Sequence, residues 1–171
     1  MTTTDGEIVY ALHSGVCVLR FTGEIRYTSG PSAKISRRLD AFLDRLCSMP
    51  DLDNVVLDVS RATSIDSTNL GLLARIASAM RSRHDRRVTI ISTRPEITRV
   101  LCSMGFEQVA DLITEPERQT EELADLPAEG AEEKDPLRLM LDAHRHLASL
   151  DERNRETFAA AIELLEREIE G

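Results

Sequence analysis

The spacing of apolar positions sorts the first 113 residues into alternating strands and helices. Ile8 to Leu12 and Val16 to Phe21 are short apolar runs on either side of His13-Ser14-Gly15, a pattern that predicts a β-hairpin. After a loop over 27–30, Pro31 suits a first helical turn. Ile35, Leu39, Phe42, Leu43 and Leu46 then recur at helical steps to about residue 47. Val55, Val56, Leu57 and Val59 are branched and apolar on both faces, as in a buried strand, and a Ser/Thr/Asp-rich loop is expected after them. A second helix follows from about Ser67 to Arg83, with a stripe of Leu70, Leu73, Ala77 and Met80. Val88 to Ser92 reads as a strand. Thr93 is the expected cap of a third helix carrying Ile97, Val100, Leu101 and Met104, which Gly105 ends. Val109 to Ile113 is the last strand. An opening hairpin followed by such alternation implies an α/β domain, a mixed and mostly parallel sheet with helices packed on it.

The pattern changes after residue 113. Residues 114–134 are rich in Glu, Pro, Ala and Gly, with little apolar periodicity, and read as a flexible acidic linker. Asp135-Pro136 then reads as cap and first residue of a helix bearing Leu137, Met140, Leu141, His144, Leu147 and Ala148. Ser149-Leu150-Asp151 predicts a break and a fresh cap, before a narrow stripe of Phe158, Ile162, Leu165 and Ile169. The predicted organisation is a domain over 1–113, a linker over 114–134 and a helical hairpin over 135–171. Such a hairpin cannot bury both stripes alone, so it should pack on the domain, on a copy of itself or on a partner.

The chemistry concentrates at residues 57–73. Strand, polar loop and helix follow one another, which puts hydroxyls at a helix N-terminus with its free N–H groups and partial positive charge. Asp66 or Ser67 can cap that end. A phosphate on Ser67 or Thr68 would sit where a helix favours an anion. On pattern alone, ordinary capping is the simpler account of the same residue types. The order Asp58-Val59-Ser60, then Ile65-Asp66-Ser67-Thr68-Asn69-Leu70-Gly71, resembles the signature of the STAS domain, over about residues 8–113. It is most similar to the bacterial anti-sigma factor antagonists, whose pattern is Asp-Leu-Ser, then an apolar residue and Asp-Ser-Ser/Thr-Gly-Leu-Gly.

In that family the second hydroxyl of the run is phosphorylated, which places the acceptor at Thr68, with Ser67 as runner-up. Asn69 stands where the family has Gly. Gly23, Glu24 and Ile25 match a second family run, whose acidic fourth residue is replaced by Arg26. A reversed charge beside a docking surface changes partner choice, which makes Arg26 a candidate specificity residue. The resemblance implies the STAS fold. It implies binding to an anti-sigma factor when unphosphorylated, often one that is also a Ser/Thr kinase with a histidine-kinase-like ATPase fold, and release on phosphorylation. A PP2C-type phosphatase would restore binding. The expected switch and docking residues are Asp58, Ser60, Asp66, Ser67, Asn69, Leu70 and Gly71, with Glu24 and Arg26 alongside. The competing reading is a non-catalytic scaffold subunit of a larger signalling complex, a homo-oligomer assembled through its C-terminal helices.

Composition narrows the partners. Residues 1–113 carry 14 Lys and Arg against 13 Asp and Glu, and residues 114–171 carry 7 against 17, so neither part offers the basic stripe of a nucleic-acid binder. No apolar run approaches a membrane span, and the N-terminus lacks a leader pattern, so a cytoplasmic protein is expected. Cys17, Cys47 and Cys102 are too far apart for a zinc motif, and His144 and His146 are two apart on a helix, so no metal or other cofactor is expected. No phosphate cradle or nucleophile elbow occurs, and the histidines are expected away from the hydroxyl loop, which argues against catalysis.

Overall fold

The computed structural model describes residues 5–27, 31–115 and 122–171, with no side-chain description for residues 31 and 32. The chain start, most of the loop over 27–30 and part of the expected linker lie outside the described residues. Six strands form one sheet in the order β5-β4-β3-β2-β1-β6. β1 (Glu7–His13) and β2 (Val16–Ile25) are the predicted hairpin, turning at Ser14 and Gly15 with φ of 52° and 79°, the left-handed pair a tight hairpin needs. β3 (Asn54–Ile65), β4 (Val88–Ile91) and β5 (Ala110–Ile113) run parallel to β2. The intervening helices are α1 (Pro31–Leu46), α2 (Ser67–His84) and α3 (Pro95–Ser103). Because the strands advance in one direction across the sheet, right-handed crossovers place all three helices on one face. Strand alternation directs Cys17, Leu19, Val55, Leu57, Val59 and Ile90 into that interface, all 0% exposed.

β3 is longer than its apolar run. Ser60 to Ser64, expected as a loop, continue the strand because β2 also runs on to Ile25 and pairs with them. The extension follows register shifts between Arg20 and Thr22 and between Gly23 and Glu24, where Gly23 takes φ 76°. At α3, Arg94 rather than Thr93 holds the cap position and no side chain caps the helix; Pro95 in the first turn supplies the start instead.

The sequence beyond residue 113 does not hang free where it is described. β6 (Ala124–Asp125) pairs with Val9 and Tyr10 and covers the β1 edge, and Leu126 is 4% exposed. Asp135 and Asp151 cap α4 (Pro136–Ala148) and α5 (Glu152–Glu170) by accepting from the N–H groups of Leu137 and Arg153. α4 packs on α2, and α5 packs on α4. α2 is therefore sandwiched between the sheet and α4, with ten of its residues buried. That accounts for an apolar character spread around its circumference, with Leu72 and Ile76 added to the expected stripe.

A candidate docking site under the C-terminal helices

Asp66 organises the start of α2. Its Oδ1 accepts from the Asn69 N–H at 2.9 Å and from Asn69 Nδ2 at 2.8 Å, and its Oδ2 accepts from the Tyr27 N–H at 2.6 Å. One carboxylate thus caps the helix and holds the β2–α1 connection, bringing Glu24 and Arg26 towards the hydroxyl pair. Arg26 lies 3.9 Å from Glu24 and is half-exposed. Ser67 and Thr68 occupy the first turn.

Asn69 is 0% exposed and lies in regular helix, so its role is hydrogen bonding rather than unusual backbone geometry. Its Oδ1 accepts from Ser36 Oγ at 2.9 Å, which ties α1 to the cap of α2. Asn69→Gly, which introduces the family residue, is expected to destabilise the protein by about 2 kcal/mol, chiefly from the lost buried hydrogen bonds, with a few tenths more from glycine's lower helix propensity. Thermal denaturation of both forms checks this.

Asp58 and Ser60 lie elsewhere. Asp58 is in mid-strand, 5% exposed, paired with Arg20 at 3.0 Å, and its Oδ1 accepts from the Ser60 N–H at 3.0 Å and Oγ at 2.6 Å. Strand alternation puts it on the sheet face opposite α2, and the rise of a strand puts it roughly 25 Å from Asp66. The fold therefore assembles Asp66, Ser67, Thr68, Asn69, Leu70, Gly71, Glu24 and Arg26 in one region and leaves Asp58 and Ser60 to bracing β2 against β3.

The sequence expectation kept the histidines away from the hydroxyls. Folding reverses this: His144 Nε2 lies 3.0 Å from Ser67 Oγ. His144 Nδ1 is 2.6 Å from the Met140 carbonyl, which only accepts, so Nδ1 carries the proton and Ser67 donates to Nε2. A Ser–His contact is also the arrangement of nucleophilic catalysis. Here, however, the orienting group is a carbonyl with no charge to set against an imidazolium. The ring is 6% exposed and meets Phe158 edge-on, at a centroid distance of 5.5 Å. The contact holds α4 to the first turn of α2 rather than activating Ser67.

Three further features were invisible in the sequence. A Cβ on Gly71 would meet the Ala143 backbone oxygen at 2.1 Å, so the crossing of α2 and α4 needs glycine there. Thr68 is 4% exposed; it lies three and four residues before Gly71 and Leu72, on the α2 face that α4 covers. Asn154 Nδ2 donates to the carbonyls of Met104 and Leu147, both at 2.8 Å, pinning the start of α5 to the end of α3 and to α4.

A charged cluster holds the near end of α4. Arg75 reaches Asp40 at 2.6 Å and Asp44 at 2.5 Å, and Lys134 reaches Asp40 at 3.1 Å and Asp44 at 2.5 Å. With His146 and Asp142 they line a cavity of about 210 Å³. Burial works against charge on Asp44, yet hydrogen bonds from Lys134 and Arg75 prevail and hold its carboxyl below its usual range. Burial, and then Arg75, push His146 below its usual 6.5. A histidine held neutral costs nothing above that value, and its resistance to protonation penalises the folded form as pH falls through and below it. The protein is therefore expected to lose thermal stability between pH 7.5 and 5.5, and His146→Gln should reduce that loss. Equal losses in both proteins would exclude His146 as the source.

Among the described residues no group of three or more His, Cys, Asp or Glu side chains is placed to hold a metal ion, and no helix is long and apolar enough to cross a membrane.

The STAS domain family model matches residues 7–122. A structure described as the crystal structure of an anti-sigma factor antagonist from Mycobacterium paratuberculosis shares the fold. It is 20% identical, with a TM-score of 0.50, over 65% of this chain and 87% of that one. Curated protein sequences give no match.

Proposed function

Since the chain belongs to the STAS domain family, we propose that it is an anti-sigma factor antagonist switched by phosphorylation on the Asp66-Ser67-Thr68 loop. The observation that carries this reading is the hydroxyl pair in the first turn of α2, directly after an Asp66 cap that also holds the chain beside Glu24 and Arg26. The description of the fold relative as an anti-sigma factor antagonist agrees with it. In the unphosphorylated form, the start of α2 and the Glu24–Arg26 segment bind an anti-sigma factor and free its sigma factor. Phosphorylation of Thr68, with Ser67 as the alternative acceptor, adds about −1.5 to −2 charges to a surface that had docked as a neutral hydroxyl. The helix N-terminus limits the cost of that charge in the free protein. A kinase, in the simplest case the anti-sigma factor itself, and a PP2C-type phosphatase set the balance.

Thr68→Ala and Thr68→Asp test the switch. Against an anti-sigma factor of the host, measured by calorimetry, Thr68→Asp should bind at least tenfold more weakly than Thr68→Ala, about 1.4 kcal/mol or more. Equal affinities would remove Thr68 from the mechanism. The scaffold reading rests on a C-terminal hairpin that a minimal antagonist would not need; the packing of α4 on α2 of its own chain gives that hairpin a place without assembly.

A further inference from the structure

We propose that α4 and α5 form an intramolecular stand-in for the partner, a helical hairpin that masks the α2 docking face and must lift off before the switch is used. This rests on the docking site proposed above. Three observations carry it. First, the masked surface is the proposed functional one. Ser67 donates to His144, Gly71 lies against the Ala143 backbone, and Thr68 is 4% exposed on the same face of α2. A kinase needs a hydroxyl it can reach and in-line access for the incoming phosphoryl group, and a side chain this buried offers neither. The closed form is thus refractory both to docking and to modification.

Second, the hairpin is attached as a unit that can be released. Beyond the apolar packing of Leu139, Ala143 and Leu147, it is held by separable fasteners: the Ser67–His144 hydrogen bond, the Asn154 bond to the Met104 carbonyl, and the Lys134 pairs with Asp40 and Asp44. None of them belongs to the sheet. The family match ends at residue 122, before α4 begins. α5 contributes little to the core: only Asn154 and Leu165 along it are buried, and Leu164 is 58% exposed. Elements of this kind open at lower free energy than core strands.

Third, the Ser67–His144 contact couples hairpin and switch. Ser67 can donate to Nε2 only while its hydroxyl carries a proton. A phosphoryl group on Ser67 removes that donor and needs room where the buried His144 ring lies only 3.0 Å from the hydroxyl. Modification at Ser67 therefore favours the open form, and opening in turn favours access to Thr68. The equilibrium between open and closed forms then sets how much antagonist is available, and the apparent affinity for the partner falls by the open fraction.

The test uses the full chain and needs no partner. Burial, and then the nearby Cys47, push the Cys17 thiol up to about 12, and burial also raises Cys47, so both native core thiols are poor nucleophiles. In a Cys102→Ser background, Thr68→Cys is labelled with Ellman's reagent, with and without Asn154→Ala. Labelling at position 68 should proceed under native conditions and rise at least tenfold with Asn154→Ala, while Cys17 and Cys47 stay unlabelled. Hydrogen exchange of the unsubstituted chain provides a second readout. The α4 and α5 amides should exchange at least tenfold faster than those of β3. Labelling of position 68 only together with Cys17 and Cys47, or α4 and α5 exchanging at the rate of β3, would overturn the proposal. Either result concerns the hairpin alone; failure of the Thr68→Asp binding test concerns the docking reading alone.

Discussion

Gly71→Ala is expected to destabilise the protein, although it replaces the poorest ordinary helix former with the best. On propensity alone α2 would gain about 1 kcal/mol. The new Cβ, however, would lie 2.1 Å from the Ala143 oxygen, 2.4 Å from its carbonyl carbon and 2.8 Å from its Cα. These are backbone atoms of a packed helix and cannot swing aside. The clash outweighs the propensity gain, for a net loss of about 1–2 kcal/mol given typical overpacking costs. Gly71→Leu should go further and drive α4 off α2. Leu139 and Leu147 then lose their burial, at about 1.5–3 kcal/mol each when complete. The measurement is a pair of denaturation curves. If Gly71→Ala raised stability, α4 would not lie where it is described. Gly71→Leu should also speed hydrogen exchange in α4 and α5 while leaving β2 and β3 protected, because the strain falls on the outer layer.

Asp66→Ala is the second large effect. It removes the cap of α2, the partner of Asn69 Nδ2 and the anchor of the Tyr27 N–H in one step. Loss of a cap costs about 1 kcal/mol, and stranding a buried amide donor costs about 1–3 kcal/mol more. The sum, about 3 kcal/mol, is a large part of the stability of an ordinary domain. Asp66→Asn retains an acceptor for the Asn69 N–H and should recover about half of it. The same substitutions should loosen the Glu24–Arg26 segment from the start of α2, seen as faster exchange at the Tyr27 amide.

Local pattern carried most of this reading and failed where the decisive contact was distant. The hairpin of β1 and β2, the order of strands and helices, and the caps at Asp135 and Asp151 follow from spacing and turn chemistry, which act over a few residues. The extension of β3 through Ser60–Ser64 does not, because it depends on β2 running on to Ile25 and on a bulge at Gly23. Asp58 opens the signature in sequence, yet strand alternation turns its side chain to the opposite face of the sheet. The loop chemistry at Asp66 was visible as a choice between Asp66 and Ser67, and the hydrogen bonds settle the cap on Asp66. His144, 77 residues from Ser67, could not be placed against it by any local rule. One signal was present all the same. α2 is apolar around more of its circumference than a helix lying on a sheet needs, with Ile76 and Leu72 extending the Leu73–Met80 face round to the side that α4 covers. A helix of that kind calls for cover on its outer side.

The central claim is that the hydroxyl pair at the start of α2 is a phosphorylation switch. It is tested most directly by phosphosite mapping of the protein purified from its native host, with and without Thr68→Ala. The account predicts a phosphate on Thr68 that disappears in the variant. A chain carrying no phosphate on Thr68 or Ser67 under any growth condition would contradict it.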